Sequence, residues 1–172
     1  MFIIYKKMSY TENESYKHKM AKEVLKKWFE DSEQNDYMTI GDIGFRSNRK
    51  SGVFLEYPIC KYIINGNHDN SWEHNWDEIL HEGEEGYWNE YVPTYHECIN
   101  KFNSYPIAII DMVCSYKGQP YYAIEICNKN PVSQEKINKL KEFGVDNLIE
   151  IDADWILNQT KIPSQLKYKR LI

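Results

Sequence analysis

Asp111 and Glu125 lie inside two runs otherwise written for burial, "IAIIDMVCSY" and "YYAIEIC". An unpaired buried carboxylate is costly, so such an acid protonates, finds a cation or sits at a cleft. Side chains alternate faces along a strand. Glu125 and Cys127 therefore share one face, and Ile124 and Ile126 take the other. The turn residues "KGQP" between the runs can bring Asp111 and Glu125 close together. Adjacent carboxylates repel, and a divalent cation, which prefers oxygen ligands, relieves the repulsion. The competing reading of each acid alone is a solvated strand face.

Glu14 is a third candidate. On a helical wheel it falls in line with Ala21 and Leu25, at the N-terminal end of the core-facing stripe. It would equally complete a capping box with Thr11. His18 and Lys22 follow along one flank of that stripe, where a row of Glu, His and Lys could line a cleft.

A segment at about 65–90, "NGNHDNSWEHNWDEILHEGEEGYWNE", carries His68, His74 and His81 among Asp69, Glu73, Asp77 and Glu82. His and carboxylate together bind zinc and other transition metals. The intervals match neither HxxxH nor HExxH, so a solvated, Trp-anchored loop competes with a metal site. Trp72, Trp76 and Trp88 suit either base stacking or a small core of the segment itself. No glycine-rich phosphate loop and no serine elbow occurs. Cys127, in a buried strand, is a poor nucleophile.

The elements that must position these residues follow from periodicity. Tyr16, Met20, Val24 and Trp28, flanked by Ala21, Leu25 and Phe29, predict an amphipathic helix over about 12–30, capped by Thr11. "YMTIGDIGFRS" holds one strand, and "GVFLEYPICKYII" reads as a strand or hairpin arm. Glu56 in the second faces either the cleft or the outside. The 65–90 segment reads as an irregular insertion. "PTYHECINKF" forms a short helix, and the two acid-bearing strands follow. Ser133 caps a helix from Gln134 to Phe143 that stops at Gly144. "NLIEIDADWIL" is a last strand entering a final turn. This order gives a single α/β domain over 1–172, with a mixed central sheet flanked by helices.

The bulk composition bounds the function. The chain has 172 residues, 15% aromatics and a net charge of -5. That charge weighs against a large polyanion-binding surface. "RSNRK" and "KYKR" remain as local basic stretches, with plain surface charge as the simpler reading. No apolar run approaches the roughly 20 residues that cross a bilayer, and the apolar part of "MFIIYKK" is too short for a secretory signal. An intracellular protein with no membrane partner is expected. Cys60, Cys98, Cys114 and Cys127 form no CxxC pair, so free thiols are expected.

The segments "ESYKHKMAKEVLKKWF", "FLEYPI", "IAIIDMVCSY" and "YAIEIC", followed by "PVSQEKINKLKEFGVDNLIEIDADWI", together resemble the PD-(D/E)XK nuclease superfamily. The likeness is greatest to the branch containing the competence protein CoiA. The resemblance implies a restriction-endonuclease-like core. It implies a metal-dependent nuclease that hydrolyses phosphodiester bonds of nucleic acid, DNA first, using Mg²⁺ or Mn²⁺. Asp111, Glu125 and Glu14 would be the metal ligands. It also marks a departure. Cys127 stands where such enzymes usually carry lysine, and a thiol supplies no positive charge. Lys129, on the same strand face roughly 13 Å from Glu125, and Lys22, on the first helix, are the two candidates to replace it. The alternative is a catalytically degenerate relative that keeps the scaffold as a nucleic-acid-binding or assembly module.

Overall fold

The computed structural model of the protein describes residues 15–31, 33–34, 37–41, 43–46, 52–64, 67–70, 72, 95–102, 104, 106–116 and 119–172. Helix α1 spans Tyr16–Asp31. Ser15 Oγ accepts from His18 N, so Ser15 is the N-cap. The predicted start near residue 12 lies outside the described residues, within which the helix begins at Tyr16. The apolar repeat does not by itself show where the first turn is closed. Thr11 and Glu14 lie outside the described residues.

Strands β1 (Glu33–Gln34), β2 (Tyr37–Ile40) and β3 (Ile43–Arg46) form a separate antiparallel meander. The single strand expected from "YMTIGDIGFRS" is thus two. Gly41 turns the chain between them at φ 69°, a backbone conformation that glycine takes without steric penalty.

The main sheet has the order β5-β4-β6-β7-β8-β9. Its strands are β4 (Gly52–Ile64), β5 (Asn67–Asn70), β6 (Pro106–Tyr116), β7 (Gln119–Cys127), β8 (Leu148–Asp152) and β9 (Tyr168–Arg170). Helix α2 (Tyr95–Phe102) precedes β6, α3 (Gln134–Glu142) links β7 to β8, and α4 (Ala153–Leu157) follows β8. β4, β6 and β7 are antiparallel neighbours. β7 and β8 run parallel, which requires a crossover, and α3 supplies it. The mixed α/β class expected from the sequence is present. β5 pairs with β4, so the 65–90 segment opens with a regular strand. Trp72 is buried, and residues 73–90, with His74, His81, Trp76 and Trp88, lie outside the described residues.

The sheet is apolar on both faces. Leu25 and Phe29 of α1 pack with Met112, Ile124, Ile126, Ile149 and Ile151 on one face. Ile137 and Leu140 of α3 pack with Tyr57, Ile110, Val113 and Leu148 on the other. Trp28 and Trp155 meet edge to face, centroids 6.0 Å apart, tying α1 to α4. All four cysteines are free thiols. Among the described residues, no helix is long and apolar enough to cross a membrane.

Candidate active site

The site begins with a break in strand alternation. Residues two apart on a strand normally share a face. On β4, Leu55 packs against the α1-side cluster while Tyr57 belongs to the α3-side cluster. Glu56 between them has φ 54°, a left-handed conformation that costs a non-glycine residue about 1 kcal/mol or more. β6 makes the same switch around Asp111, with Met112 on the α1 side and Ile110 on the α3 side. Leu55 pairs with Met112 and Tyr57 with Ile110, so Glu56 and Asp111 stand opposite each other where both strands change sides.

The row of acids continues across the sheet. β6 and β7 pair as far as Met112 and Ile124, and beyond that point Ile126 N donates to the Asp111 side chain. Glu125 pairs with Glu150 on β8, and Glu150 with Lys169 on β9. Strand register sets Glu56 opposite Asp111 and Glu125 opposite Glu150, and the hydrogen bond from Ile126 N to Asp111 joins the two pairs.

Helices supply the cations. His18 Nε2 lies 2.9 Å from Asp111 Oδ2, which also accepts from Ile126 N at 2.8 Å. Lys22, only 3% exposed, pairs with Glu56 Oε1 and places Nζ 3.8 Å from Asp111 Oδ1. Burial alone would raise the Asp111 carboxyl. The hydrogen bond and charge of His18, the Ile126 N–H and Lys22 outweigh it and hold the group below the usual carboxylate range.

Glu125 meets the opposite balance. Burial, then the charge of Asp111, pushes its carboxyl up to about 7, and Lys136 and His18 offset only part of this. Lys136 Nζ is 2.7 Å from both carboxylate oxygens. It donates to Oε2, while Oε1 makes no well-directed hydrogen bond and has no other partner among the described residues. Lys136 also donates to Ile109 O at 2.9 Å, which fixes its reach across the sheet.

The structure thus brings together Asp111, Glu125, Lys22, His18 and Glu56 of the residues singled out from sequence, and adds Lys136 and Glu150. Glu14 lies outside the described residues. Lys129 lies apart from Asp111 and Glu125. It is exposed in the bend after β7 and makes no contact with either carboxylate, because the chain turns there before α3 begins. Cys127 stands apart from the two carboxylates' partners. It lines a separate cavity with Glu150 and Asp152. Burial, then those two acids, raise its thiol, so it is neither cation nor nucleophile. Lys136 was missed, although helical spacing held the signal. It lies four residues before Leu140 and seven before Phe143, both buried, which puts it on the inward stripe of α3.

The family model for calcineurin-like phosphoesterases matches residues 18–169, and the chain belongs to that family. No curated protein and no solved structure matches it significantly. The family match overturns the resemblance to the PD-(D/E)XK nuclease superfamily and its CoiA branch, which is a different fold superfamily. The quoted motifs are short. An acid in each of two neighbouring strands is a device that any metal-assisted phosphoester chemistry can use. The restriction-endonuclease-like form of the core accordingly goes no further than the mixed α/β class.

Membership suggests a metal-dependent phosphoester hydrolase, in a family that typically uses manganese, iron or zinc. The described residues meet that expectation in part. No group of three or more His, Cys, Asp or Glu is arranged to hold an ion among them. Asp111 and Glu125 are oxygen donors on neighbouring strands, paired in this structure with His18 and Lys136.

Proposed function

We propose that this chain is a divalent-metal-dependent phosphodiesterase acting on nucleic acid, DNA first among its substrates, with Asp111 and Glu125 holding the cation. The observation that carries the reading is Glu125. It is a buried carboxylate pushed up to about 7 by burial and by the charge of Asp111, which the Lys136 ammonium 2.7 Å away offsets only in part. A cation between the two acids removes that penalty. Their all-oxygen chemistry suits Mg²⁺ or Mn²⁺ better than a soft metal.

When bound, the cation lowers the pKa of attacking water and polarises the phosphoryl group. The chain's own residues do the rest. Lys22 and Lys136 reach the carboxylates from opposite helices, so a phosphate seated there meets positive charge on both sides. The Ile126 N–H and His18 fix the Asp111 carboxylate and keep it ionised. Glu56 holds the Lys22 ammonium in a buried position it would otherwise avoid. The acid row ends at Lys169 within "KYKR", which supplies cations for neighbouring phosphates of a polyanion.

A second reading has its own observation. Asp111, Glu56 and Glu125 are already paired with His18, Lys22 and Lys136. A charge-balanced cluster can serve as the buried frame of a noncatalytic nucleic-acid-binding or assembly protein.

Cleavage of labelled single- and double-stranded DNA and of RNA, with Mg²⁺ and Mn²⁺ titrated, separates the two. The proposal expects metal-dependent products that fall at least ~10²-fold in Asp111→Asn and in Glu125→Gln. Binding without products, with any metal and on every substrate, supports the second reading.

A further inference from the structure

The acid row runs on from Asp111 and Glu125 to a second feature, which shares Glu150 and Lys169 with it. A cavity of about 340 Å³ opens beside β7, β8 and β9. Cys127, Glu150 and Asp152 line it together with the rings of Trp155 and Tyr168. Lys167 and Lys169 complete the lining and are exposed. Cys127 and Asp152 end the parallel pair β7 and β8, and the carboxyl ends of such strands are where open α/β sheets take ligands.

The lining is selective. Two aromatic side chains, Trp155 and Tyr168, contribute the kind of surface on which bases stack. The thiol of Cys127 is uncharged and small, so it leaves room rather than filling it. Glu150 Oε2 accepts from Val132 N, and Asp152 Oδ1 accepts from Trp155 N at 2.7 Å. The second oxygen of each, Oε1 and Oδ2, makes no hydrogen bond among the described residues. The cavity therefore combines aromatic surface, one buried and one exposed carboxylate, and cations close by. A carboxylate or bare phosphate would meet the acids, and an aliphatic ligand would leave them unsatisfied. A planar heterocycle that carries N–H donors and a phosphate uses every group.

We infer that this cavity is a nucleobase subsite that selects bases bearing an exocyclic amino group. The inference rests on the phosphodiesterase reading for its place in function. Cys127 lies two residues beyond Glu125, roughly 7 Å along the strand. A nucleotide whose base enters the cavity thus has its phosphate beside Asp111 and Glu125, or beside Lys169. Cytosine and adenine present an amino group to Glu150 or Asp152, as carboxylates accept from the cytosine amino group elsewhere. Thymine flanks its single N–H with carbonyl oxygens, which both carboxylates repel.

Calorimetric titration of the whole chain in a metal-free buffer tests this with deoxycytidine, deoxyadenosine and thymidine monophosphates as probes, and inorganic phosphate as control. The expected result is binding of the cytidine and adenosine nucleotides at least about tenfold tighter than the thymidine nucleotide. Cys127→Phe, which fills the cavity, should weaken the first two at least about tenfold. Lys169→Gln, an exposed change that leaves the core alone, should weaken nucleotides a few-fold relative to the free nucleosides. Equal affinity for all three nucleotides, affinity matched by inorganic phosphate, or no binding would overturn the inference. So would unchanged affinity in both variants. No cation is present, so a failure of hydrolysis leaves this binding intact. Absent binding, conversely, leaves hydrolysis at Asp111 and Glu125 standing.

Discussion

Two carboxylates on neighbouring strands sit in opposite electrostatic states because different groups face them. Asp111 is held ionised by His18, the Ile126 N–H and Lys22 against its burial, while Glu125 is pushed up to about 7. Linkage fixes the signs. A raised folded-state carboxyl stabilises the protein fully below its unfolded value near 4.3, and this is lost as pH rises towards 7. A depressed one, as at Asp111, stabilises above its unfolded value and is lost as pH falls through the folded value. Without metal, Glu125→Gln should therefore match the wild type near pH 4.5. It should exceed it at pH 8 by up to about 3 kcal/mol in urea unfolding. An equal difference at both pH values would show that Glu125 ionises without penalty. Lys136→Met removes the partner of Glu125 and should lower phosphodiester cleavage about 10²-fold, read as the initial rate at saturating Mn²⁺. At this scale the sequence disclosed Asp111 and Glu125 through their apolar flanks. It left the direction of Glu56 open, because the left-handed backbone that turns it has no signature in "FLEYPI", and it pointed to Lys129 because strand parity is blind to the bend that follows.

Elements hold these groups in register. α3 carries Lys136 and starts at Ser133, whose Oγ accepts from Lys136 N at 3.2 Å. Ser133→Ala should lower stability by about 1 kcal/mol in chemical unfolding. A larger loss of activity than of stability would show that the cap also sets the height of Lys136. α1 buries Leu25 and Phe29 completely against the sheet while presenting His18 and Lys22 to the acids. Phe29→Ala should cost about 3–5 kcal/mol, and a change under 1 kcal/mol would mean that α1 is not anchored through this ring. Both helices were legible from their 3.6-residue repeats, and α3 also from Ser133 and Gly144. Gly144 takes φ 86° as the helix ends. The β2–β3 hairpin was not legible, because its turn rests on Gly41 within a run that reads as continuous strand.

The whole molecule joins a mixed sheet, apolar on both faces, to one charged line crossing it from β4 to β9. Sequence order gave the α/β class. It could not give the family, since the motifs around the acids are too short to distinguish one metal-assisted phosphoester chemistry from another. The match to calcineurin-like phosphoesterases over residues 18–169 supplies that. The central claim is that Asp111 and Glu125 hold a divalent cation. Titration of Mn²⁺ into the metal-free protein, followed by electron paramagnetic resonance of the free ion, tests it most directly. The account predicts a site in the wild type that is lost in the Asp111→Asn, Glu125→Gln double variant, with the fold intact by circular dichroism. A site of unchanged affinity in that variant would place the metal elsewhere and contradict it.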